Sequence, residues 1–299
     1  MSEAKRKALA ARFRREELIV APGVFDLISA KIVDRMGFDS IYMTGYGVVA
    51  SYLGLPDAGI ASYTEMVDRV GRIAMMTSTP LIADADTGYG GLLNVQHTVR
   101  GYEAAGACGI QIEDQEFPKK CGHMLGRRVV PLDDMVAKVK VAADSRSDKN
   151  MLIIARTDAR TTLGLDEALR RAEAYLRAGA DVLFVESPES VEEMQRIGST
   201  FRGVPLVANM VEGGRTPVLD AKSLQEIGYR LAIFPAVGFL SAAAALERAY
   251  TDLKRTGSSK ALSVPVYEFK KFSTLMGFDW VADFDQKYRG IEETGKGIG

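Results

Sequence analysis

Two carboxylates, Asp84 and Asp86, stand two residues apart where the apolar run Leu81-Ile82-Ala83 gives way to Thr87-Gly88-Tyr89-Gly90. At a strand end, acids at that spacing can both face one cation, directly or through water. Glu113, closing the next β-rich run, adds a third oxygen donor. A set made only of oxygen ligands suits magnesium, which keeps several waters and takes few ligands from protein. The competing reading is that Asp84 and Asp86 cap the following helix or bind loop amides. Lys119-Lys120-Cys121-Gly122-His123 is a second constellation. A thiol among two lysines and a histidine has an electropositive setting, expected to lower its pKa and ready it for proton transfer. A solvent-exposed loop cysteine beside solvated lysines is the plainer alternative. Arg156 offers the planar two-point fork that a carboxylate needs, unless it is engaged by Asp158 or Glu186. The turn Thr44-Gly45-Tyr46-Gly47 can present backbone amides to an anion, its glycines permitting close approach. Asp57 reads equally as a participant and as an ordinary turn residue.

These residues are useful together only if one architecture gathers them. Eight short β-rich runs alternate with helical stretches: Leu18–Ala21, Ser40–Thr44, Pro80–Ala85, Gly109–Glu113, Met151–Thr157, Val182–Glu186, Pro205–Asn209 and Leu231–Pro235. Between them, Thr64–Met76, Asn94–Ala105, Asp166–Ala178 and Asp220–Ile227 carry apolar residues at three- and four-residue intervals. Gly37, Gly106, Gly179 and Gly228 precede strands and read as left-handed helix stops. Alternating β and α elements imply parallel strands with right-handed crossovers, and eight such units point to a (β/α)8 TIM-type barrel. A doubly wound open sheet is the rival, but no GxGxxG follows the first strand. In a barrel, chemistry sits at the C-terminal strand ends. There the sequence places Thr44, Asp84, Asp86, Glu113, Asp114, Arg156, Asp158, Glu186 and Asn209. Lys119 through His123 lie in a long loop after the fourth run, itself a hint of an active-site lid. Cys108 reads as core and His97 as helix surface. After Leu240 the chain turns helical again, through Ala242–Leu253 and Tyr267–Leu275, a surplus that could serve as a lid or be exchanged with a neighbouring subunit. We expect one domain over 1–299, with the barrel at about 12–255 and a helical extension at about 256–299.

A formal charge of −1 with no basic tract gives no electrostatic reason to expect nucleic acid. The basic stretch Met1 to Glu17 lacks the apolar core of a signal peptide, and no apolar run approaches a membrane span. Two cysteines suit a reducing compartment and leave a disulfide framework unsupported. The expected location is the cytoplasm.

The chain resembles the isocitrate lyase and phosphoenolpyruvate mutase superfamily, and within it the methylisocitrate lyase and 2,3-dimethylmalate lyase branch. The motifs carrying the resemblance are Thr44 through Gly47, Leu55-Pro56-Asp57, Asp84 through Gly90, Ile112-Glu113-Asp114, Lys119 through His123, Ala155-Arg156-Thr157-Asp158 and Asn209-Met210. It implies magnesium (manganese as a possible substitute) bound through Asp84, with Asp86, Asp57 and Glu113 holding its water shell. It implies that the Thr44–Gly47 turn and Arg156 receive the 2-oxo acid end of a dicarboxylate substrate. The loop of Lys119, Cys121, Gly122 and His123 would close over the site, and Cys121 would protonate the departing fragment. The implied assembly is a homotetramer whose last helices are swapped between subunits.

The activity so implied is cleavage of the C2–C3 bond of a 2-hydroxy dicarboxylate to a 2-oxo acid and a second carboxylate. Tyr42, preceding the substrate turn, is the candidate base. His123, Glu186 (if protonated) and Asn209 are candidates to meet charge developing on the product. Two departures bear on substrate. Methylisocitrate lyases carry a basic residue shortly after the eighth strand, where this chain has the apolar stretch Phe234 through Leu240, and Tyr46 replaces a glycine of that subgroup. Both suggest a smaller, less charged substrate such as a 2-alkylmalate. Phosphoenolpyruvate mutases and oxaloacetate decarboxylases typically lack the Cys-Gly-His of the loop and are disfavoured, whereas an oxaloacetate acetylhydrolase keeps it and stays open. A non-catalytic metabolite-binding barrel is the remaining alternative, against which the proton-donor loop argues.

Overall fold

The structure is a computed structural model, and residues 2–289 are described. It begins with a helix the sequence reading did not anticipate, α1 (Ser2–Phe13). Eight strands follow in alternation with helices: β1 (Ile19–Val24), β2 (Ile41–Met43), β3 (Leu81–Asp84), β4 (Gly109–Glu113), β5 (Leu152–Thr157), β6 (Val182–Val185), β7 (Val207–Asn209) and β8 (Leu231–Phe234). Each lies inside or within three residues of an expected run. The intervening helices are α2 (Leu27–Asp34), α3 (Gly45–Leu53), α4 (Tyr63–Met76), α5 (Leu92–Ala105), α6 (Leu132–Ser145), the single turn α7 (Arg160–Leu163), α8 (Leu165–Ala178), α9 (Val191–Thr200) and α10 (Ala221–Ile227).

All strand pairs are parallel, in the order β6-β5-β4-β3-β2-β1-β8-β7. The two ends meet through a parallel bridge between Leu183 and Leu206, with Leu183 N–H donating to the Pro205 carbonyl at 3.0 Å. That seam closes the sheet into a (β/α)8 barrel, as expected. Gly106, Gly179 and Gly228 are the left-handed C-caps of α5, α8 and α10, with φ of 104°, 110° and 113°. The sequence reads as punctuation because these positions demand a residue without a Cβ penalty.

Two apolar layers follow from the parallel topology, since strands buried on both faces need apolar side chains on both. One lies between strands and helices and includes Ile41, Met43, Val70, Val99 and Val139. The other fills the barrel itself, with Ile19, Ile82, Leu152, Ile154 and Leu231, and is completed by Leu9 and Phe13 of α1. The basic N-terminal stretch therefore contributes apolar residues to the inner layer. Its positive charge is on other faces: Lys5 donates to the Ala74 carbonyl and Arg6 pairs with Asp148 at 2.7 Å. Cys108 belongs to this inner layer and is fully buried, while His97 is exposed on α5, as read.

The register decides what meets at the barrel mouth. Asp84 of β3 lies beside Gln111 of β4, and Glu113 of β4 beside Arg156 of β5. By packing, the chain divides after Ser241, within the long helix α11 (Val237–Thr256). From Ala242 onward the second unit comprises the rest of α11, a 3-10 turn (Ser259–Ala261), α12 (Phe269–Met276) and α13 (Phe278–Tyr288). Within it Asp252 accepts from the Ser263 N–H and hydroxyl at 2.8 and 2.6 Å, fixing the chain after α11.

At Gly23, on β1, an added Cβ would stand 2.6 Å from Pro235 Cα, just beyond β8. Overpacking of this kind costs about 1–3 kcal/mol. We expect Gly23→Ala to lower the thermal midpoint by several degrees, and an unchanged midpoint would show that the β1–β8 seam yields freely.

Candidate active site

The C-terminal ends of the strands hold a concentration of buried charge. Asp84 and Asp86 are 7% and 5% exposed, Glu113 1%, and Asp158 and Glu186 fully buried, with Lys119 at 3% and Arg156 at 7%. Asp84 Oδ1 accepts from the Asp86 N–H at 3.1 Å and from Gln111 Nε2 at 3.3 Å. Its other oxygen faces Gly45, where a Cβ would stand 2.5 Å away. The carboxylate is thus seated against bare backbone, which only glycine permits. Lys119 reaches back from the lid: its ammonium pairs with Asp57 and lies 2.7 Å from Asp86 Oδ1. Glu113 Oε1 is buried and has no hydrogen-bond partner. Burial pushes the Glu113 carboxyl well above its ordinary range and raises Asp84. Asp86 is pushed up to about 6, by burial first, against the pull of Lys119.

The four acids expected at a metal, Asp57, Asp84, Asp86 and Glu113, are therefore brought together, but not as a closed cage. Among the described residues no three His, Cys, Asp or Glu side chains converge as a ligand group. The donor set nevertheless fits magnesium, which binds through one or two carboxylates and otherwise keeps water. An orphaned Glu113 oxygen and acids driven toward protonation are what a cluster short of positive charge displays.

The turn at Thr44–Gly47 is the start of a helix. Thr44 is the N-cap of α3, its hydroxyl accepting from the Gly47 N–H at 3.4 Å. The amides of Gly45 and Tyr46 thus belong to a helix N-terminus, which favours an anion more than an isolated turn would. Gly47 leaves room for Phe25 and Phe239, whose atoms would stand 2.7 and 3.0 Å from an added Cβ.

The lid, residues 114–131, is docked over this mouth. Gln115 closes its base, donating to the Lys120 carbonyl and accepting from the Lys120 N–H, both at 2.9 Å. Ser187 Oγ donates to the Gly122 carbonyl at 2.9 Å. Gly122 rests on Arg156 and Glu186, and a Cβ there would meet Glu186 Oε2 at 2.7 Å. The expected electropositive thiol is not found. Lys119 turns toward Asp57 and Asp86, and Lys120 toward the Gly126 carbonyl, so neither faces Cys121. Burial raises the Cys121 thiol, with the His123 backbone N–H opposing that only in part. The group is a held proton rather than a thiolate.

Three further roles change with the geometry. The Arg156 fork is engaged: Nε and Nη2 bind the two oxygens of Asp158 at 2.9 and 2.8 Å, leaving Nη1, 3.3 Å from Glu113, on the pocket side. From the sequence, Glu186 is a donor if protonated. Burial does push it up, but the guanidinium groups of Arg156 and Arg127 outweigh that and hold it at about 2, so it stays ionised. From the sequence, Tyr42 is the candidate base. Burial, with Asp84 beside it, raises its phenol well above the ordinary value, and the hydroxyl donates to Gln111 Oε1 at 2.8 Å. It is held as a proton donor. His123 Nδ1 accepts from the Arg215 N–H at 3.1 Å, which leaves a neutral ring with its proton on Nε2, 3.9 Å from Glu186; burial lowers its pKa accordingly. Asn209 Nδ2 donates to Glu186 Oε2 at 3.0 Å, and its Oδ1 has no partner.

A cavity of about 240 Å³ is lined by Tyr42, Thr44, Asp84, Glu113, Cys121, His123, Arg156 and Asn209, with Ile233, Ala236, Phe239 and Leu240 forming its opposite wall. The sequence stretch matches the family model described as phosphoenolpyruvate phosphomutase over residues 9–254. The chain belongs to the phosphoenolpyruvate phosphomutase family. Within this family it is 48% identical to a 2,3-dimethylmalate lyase of Eubacterium barkeri, over 91% of this chain and 94% of that one. It is 39% identical to a 2-methylisocitrate lyase of Aeropyrum pernix, over 88% and 84%. It superposes on a structure of oxaloacetate acetylhydrolase bound to 3,3-difluorooxalacetate with a TM-score of 0.91 and 34% identity, covering 96% and 98%.

Sequence reasoning missed Gln111, Ser187 and Arg127. Gln111 had a signal: in Gly109-Ile110-Gln111-Ile112-Glu113 it shares the face of Glu113 by strand alternation. Ser187 and Arg127 have none, because their partners are set by how the lid docks. The raised thiol yields a test. Peptide-resolved alkylation of Cys121 should have its midpoint above the ordinary thiol value of about 8.5, with little reaction at pH 7. A midpoint below that value would restore the reactive thiolate.

Proposed function

We propose that this protein is a magnesium-dependent carbon–carbon lyase that cleaves a 2-alkylmalate of the 2,3-dimethylmalate type, with methylisocitrate a poorer substrate. The observation that carries this reading is the two-sided cavity, with carboxylates, Arg156 and the Cys121 thiol on one side and an apolar wall on the other. Its small size suits a short dicarboxylate. The similarity to a 2,3-dimethylmalate lyase supports the same assignment.

In this reading Asp84 would hold the cation, and Asp86, Asp57 and Glu113 would hold its water. When bound, magnesium would supply Lewis-acid polarisation of the substrate's oxygens. The α3 N-terminus and Arg156 Nη1 orient that carboxylate. Tyr42 keeps its proton on Gln111 Oε1, so the C2 hydroxyl proton would leave to a carboxylate of the cluster, for which Glu113 Oε1, unpartnered and ionised while a cation stands beside it, is the available acceptor. The C2–C3 bond breaks, and its electrons move onto C3 and the adjoining carboxylate. Cys121 Sγ then delivers its proton to C3, which needs the protonated thiol described above. His123 Nε2–H and the Asn209 amide face the developing charge, oriented by ionised Glu186. Lys119 seats the lid on Asp57 and Asp86.

We also infer a homotetramer with exchanged C-terminal helices. The second unit exposes Phe269, Trp280, Phe278 and Tyr250 at 84, 68, 64 and 63%, an apolar surface of the kind subunits cover. Among the described residues no helix is long and apolar enough to cross a membrane, which accords with the cytoplasmic location we assign.

The oxaloacetate acetylhydrolase reading is kept because of the structural similarity above. Product analysis separates the two: a 2-oxo acid from the lyase, oxalate plus acetate from the hydrolase.

Two outcomes test the assignment. Asp84→Ala should abolish both turnover and the rise in thermal midpoint on adding magnesium. For the wild type that rise should correspond to about 2.7 kcal/mol at a hundred times the dissociation constant. Full turnover with the metal shown to be absent would remove the cation from the reaction. The second concerns the wall of Ala236, Phe239 and Leu240, where a third carboxylate would lack a cation. One methylene in such a pocket is worth about 10–200-fold. The specificity constant for 2,3-dimethylmalate should exceed that for methylisocitrate by a factor in that range, and Leu240→Arg should narrow it. A wild-type ratio favouring methylisocitrate refutes the substrate assignment.

A further inference from the structure

Arg127 lies near the C-terminal end of the lid, is 2% exposed, and has no part in the chemistry above. Its Nη1 pairs with Asp158 Oδ1, and its Nη2 donates to Thr161 Oγ1. The same Asp158 holds the substrate-facing guanidinium of Arg156, at 2.9 Å through Nε and 2.8 Å through Nη2. Asp158 is itself fixed from behind, its N–H donating to Asp114 Oδ1 at 2.8 Å. Asp114 is in turn held by Tyr175 at 2.7 Å and Arg171 at 3.2 Å.

One carboxylate is therefore shared by two arginines. One of these belongs to the lid and the other to β5. Thr161 is on α7, so both partners of Arg127 belong to the barrel body. The contact can exist only when the lid is seated.

An apolar side chain would fill the same space without the desolvation that a buried guanidinium incurs, and buried ion pairs are weak sources of stability. Arg127 even leaves its Nε without a partner. What it does supply is direction. With Asp158 held from the lid side, the Arg156 fork has one orientation, and Nη1 faces the cavity.

We infer that Arg127 is a positioning residue, which through Asp158 sets the Arg156 guanidinium for the substrate carboxylate and makes that pose conditional on lid docking. The inference rests on the proposed role of Arg156.

Misorienting Arg156 weakens the grip on the carboxylate in ground and transition states alike, which raises KM with little change in kcat. The test compares wild type, Arg127→Lys, Arg127→Met and Arg156→Lys at saturating magnesium. The readouts are oxalate affinity by calorimetry, steady-state kinetics on 2,3-dimethylmalate, and amide hydrogen exchange over residues 115–128. Oxalate is the probe because it is a planar dicarboxylate like the enolate of a 2-oxo acid. We expect Arg127→Met to weaken oxalate and raise KM by about 10–100-fold, the loss of one charge-assisted contact, with kcat within about threefold and faster exchange in the lid. Arg127→Lys can pair with Asp158 but not reach Thr161 as well, and should fall between.

Oxalate binding weakened in Arg156→Lys but unchanged in both Arg127 variants overturns this inference alone. So does a parallel fall of kcat and thermal midpoint with no recovery by lysine, since that marks a merely structural role. Should Arg127→Met not fold, unchanged affinity in Arg127→Lys suffices to overturn it. Unchanged affinity in Arg156→Lys would overturn the role of Arg156 itself, and this inference with it.

Discussion

Among the described residues, Asp57, Asp84, Asp86, Glu113, Asp158 and Glu186 crowd the mouth of this barrel, and Lys119, Arg127 and Arg156 are the cationic side chains that pair among them. Buried charge is tolerated only when paired or when it binds a cation. Arg156 and Arg127 satisfy Asp158, and Arg156 with Ser187 and Asn209 satisfies Glu186, which accordingly stays ionised. Lys119 answers Asp57 and Asp86. Asp84 and Glu113 are left to share what remains, and burial drives both toward protonation. The imbalance is confined to the β3–β4 side of the mouth. In the function proposed above, that is where the cation would sit and where a substrate carboxylate would approach.

The lid is part of the same balance. Lys119 and Arg127 lie on opposite sides of Cys121 in the loop, and each finds its partner on the barrel body. Docking the loop brings two positive charges to a negative mouth, places Gly122 on Arg156 and Glu186, and half-buries the thiol. Removing the thiol from water raises its pKa, so the closure that assembles the site also keeps the proton on Cys121. The lysine pair beside the cysteine does not activate it. It locates it.

Much of this was legible because it is written in local chemistry. Alternating β and α segments with glycine stops read as a barrel because parallel strands need buried apolar runs and helix ends need left-handed residues. Strand-end acids read as a site because the fold offers few reasons to bury charge there. The charge states were not legible. The neighbours of Cys121, Tyr42 and Glu186 in sequence say little about their neighbours in space: Lys119 looks like a partner of Cys121 and instead serves Asp57. The helical start at Thr44 was hidden by its glycines, Gly45 and Gly47, which look like a turn but are required by the close approach of Asp84 and Phe25. Helix α1 was hidden by its charge, since Leu9 and Phe13 are too few to stand out against the lysines and arginines around them.

The two sides of the cavity differ in how freely they can vary. On the charged side each group is tied to several others: Asp158 to two arginines, Glu186 to Arg156 and Asn209, Asp84 to Gln111 and the Gly45 backbone. A change there leaves a buried charge unpaired, which is strongly destabilising. The apolar wall has no such ties. Phe239 and Leu240 stand in the first turn of α11, and Phe239 packs on Tyr46 and Phe25 at ring distances of 5.3 and 6.3 Å. Exchanging one apolar side chain for another there alters shape at a modest cost and disturbs no ionic partner. In the function proposed above, the charged side would hold the carboxylates that every 2-hydroxy dicarboxylate shares, while the wall would select the substituent. Relatives that match this chain across nearly its whole length and yet bear different substrate names are what such a division of the pocket allows.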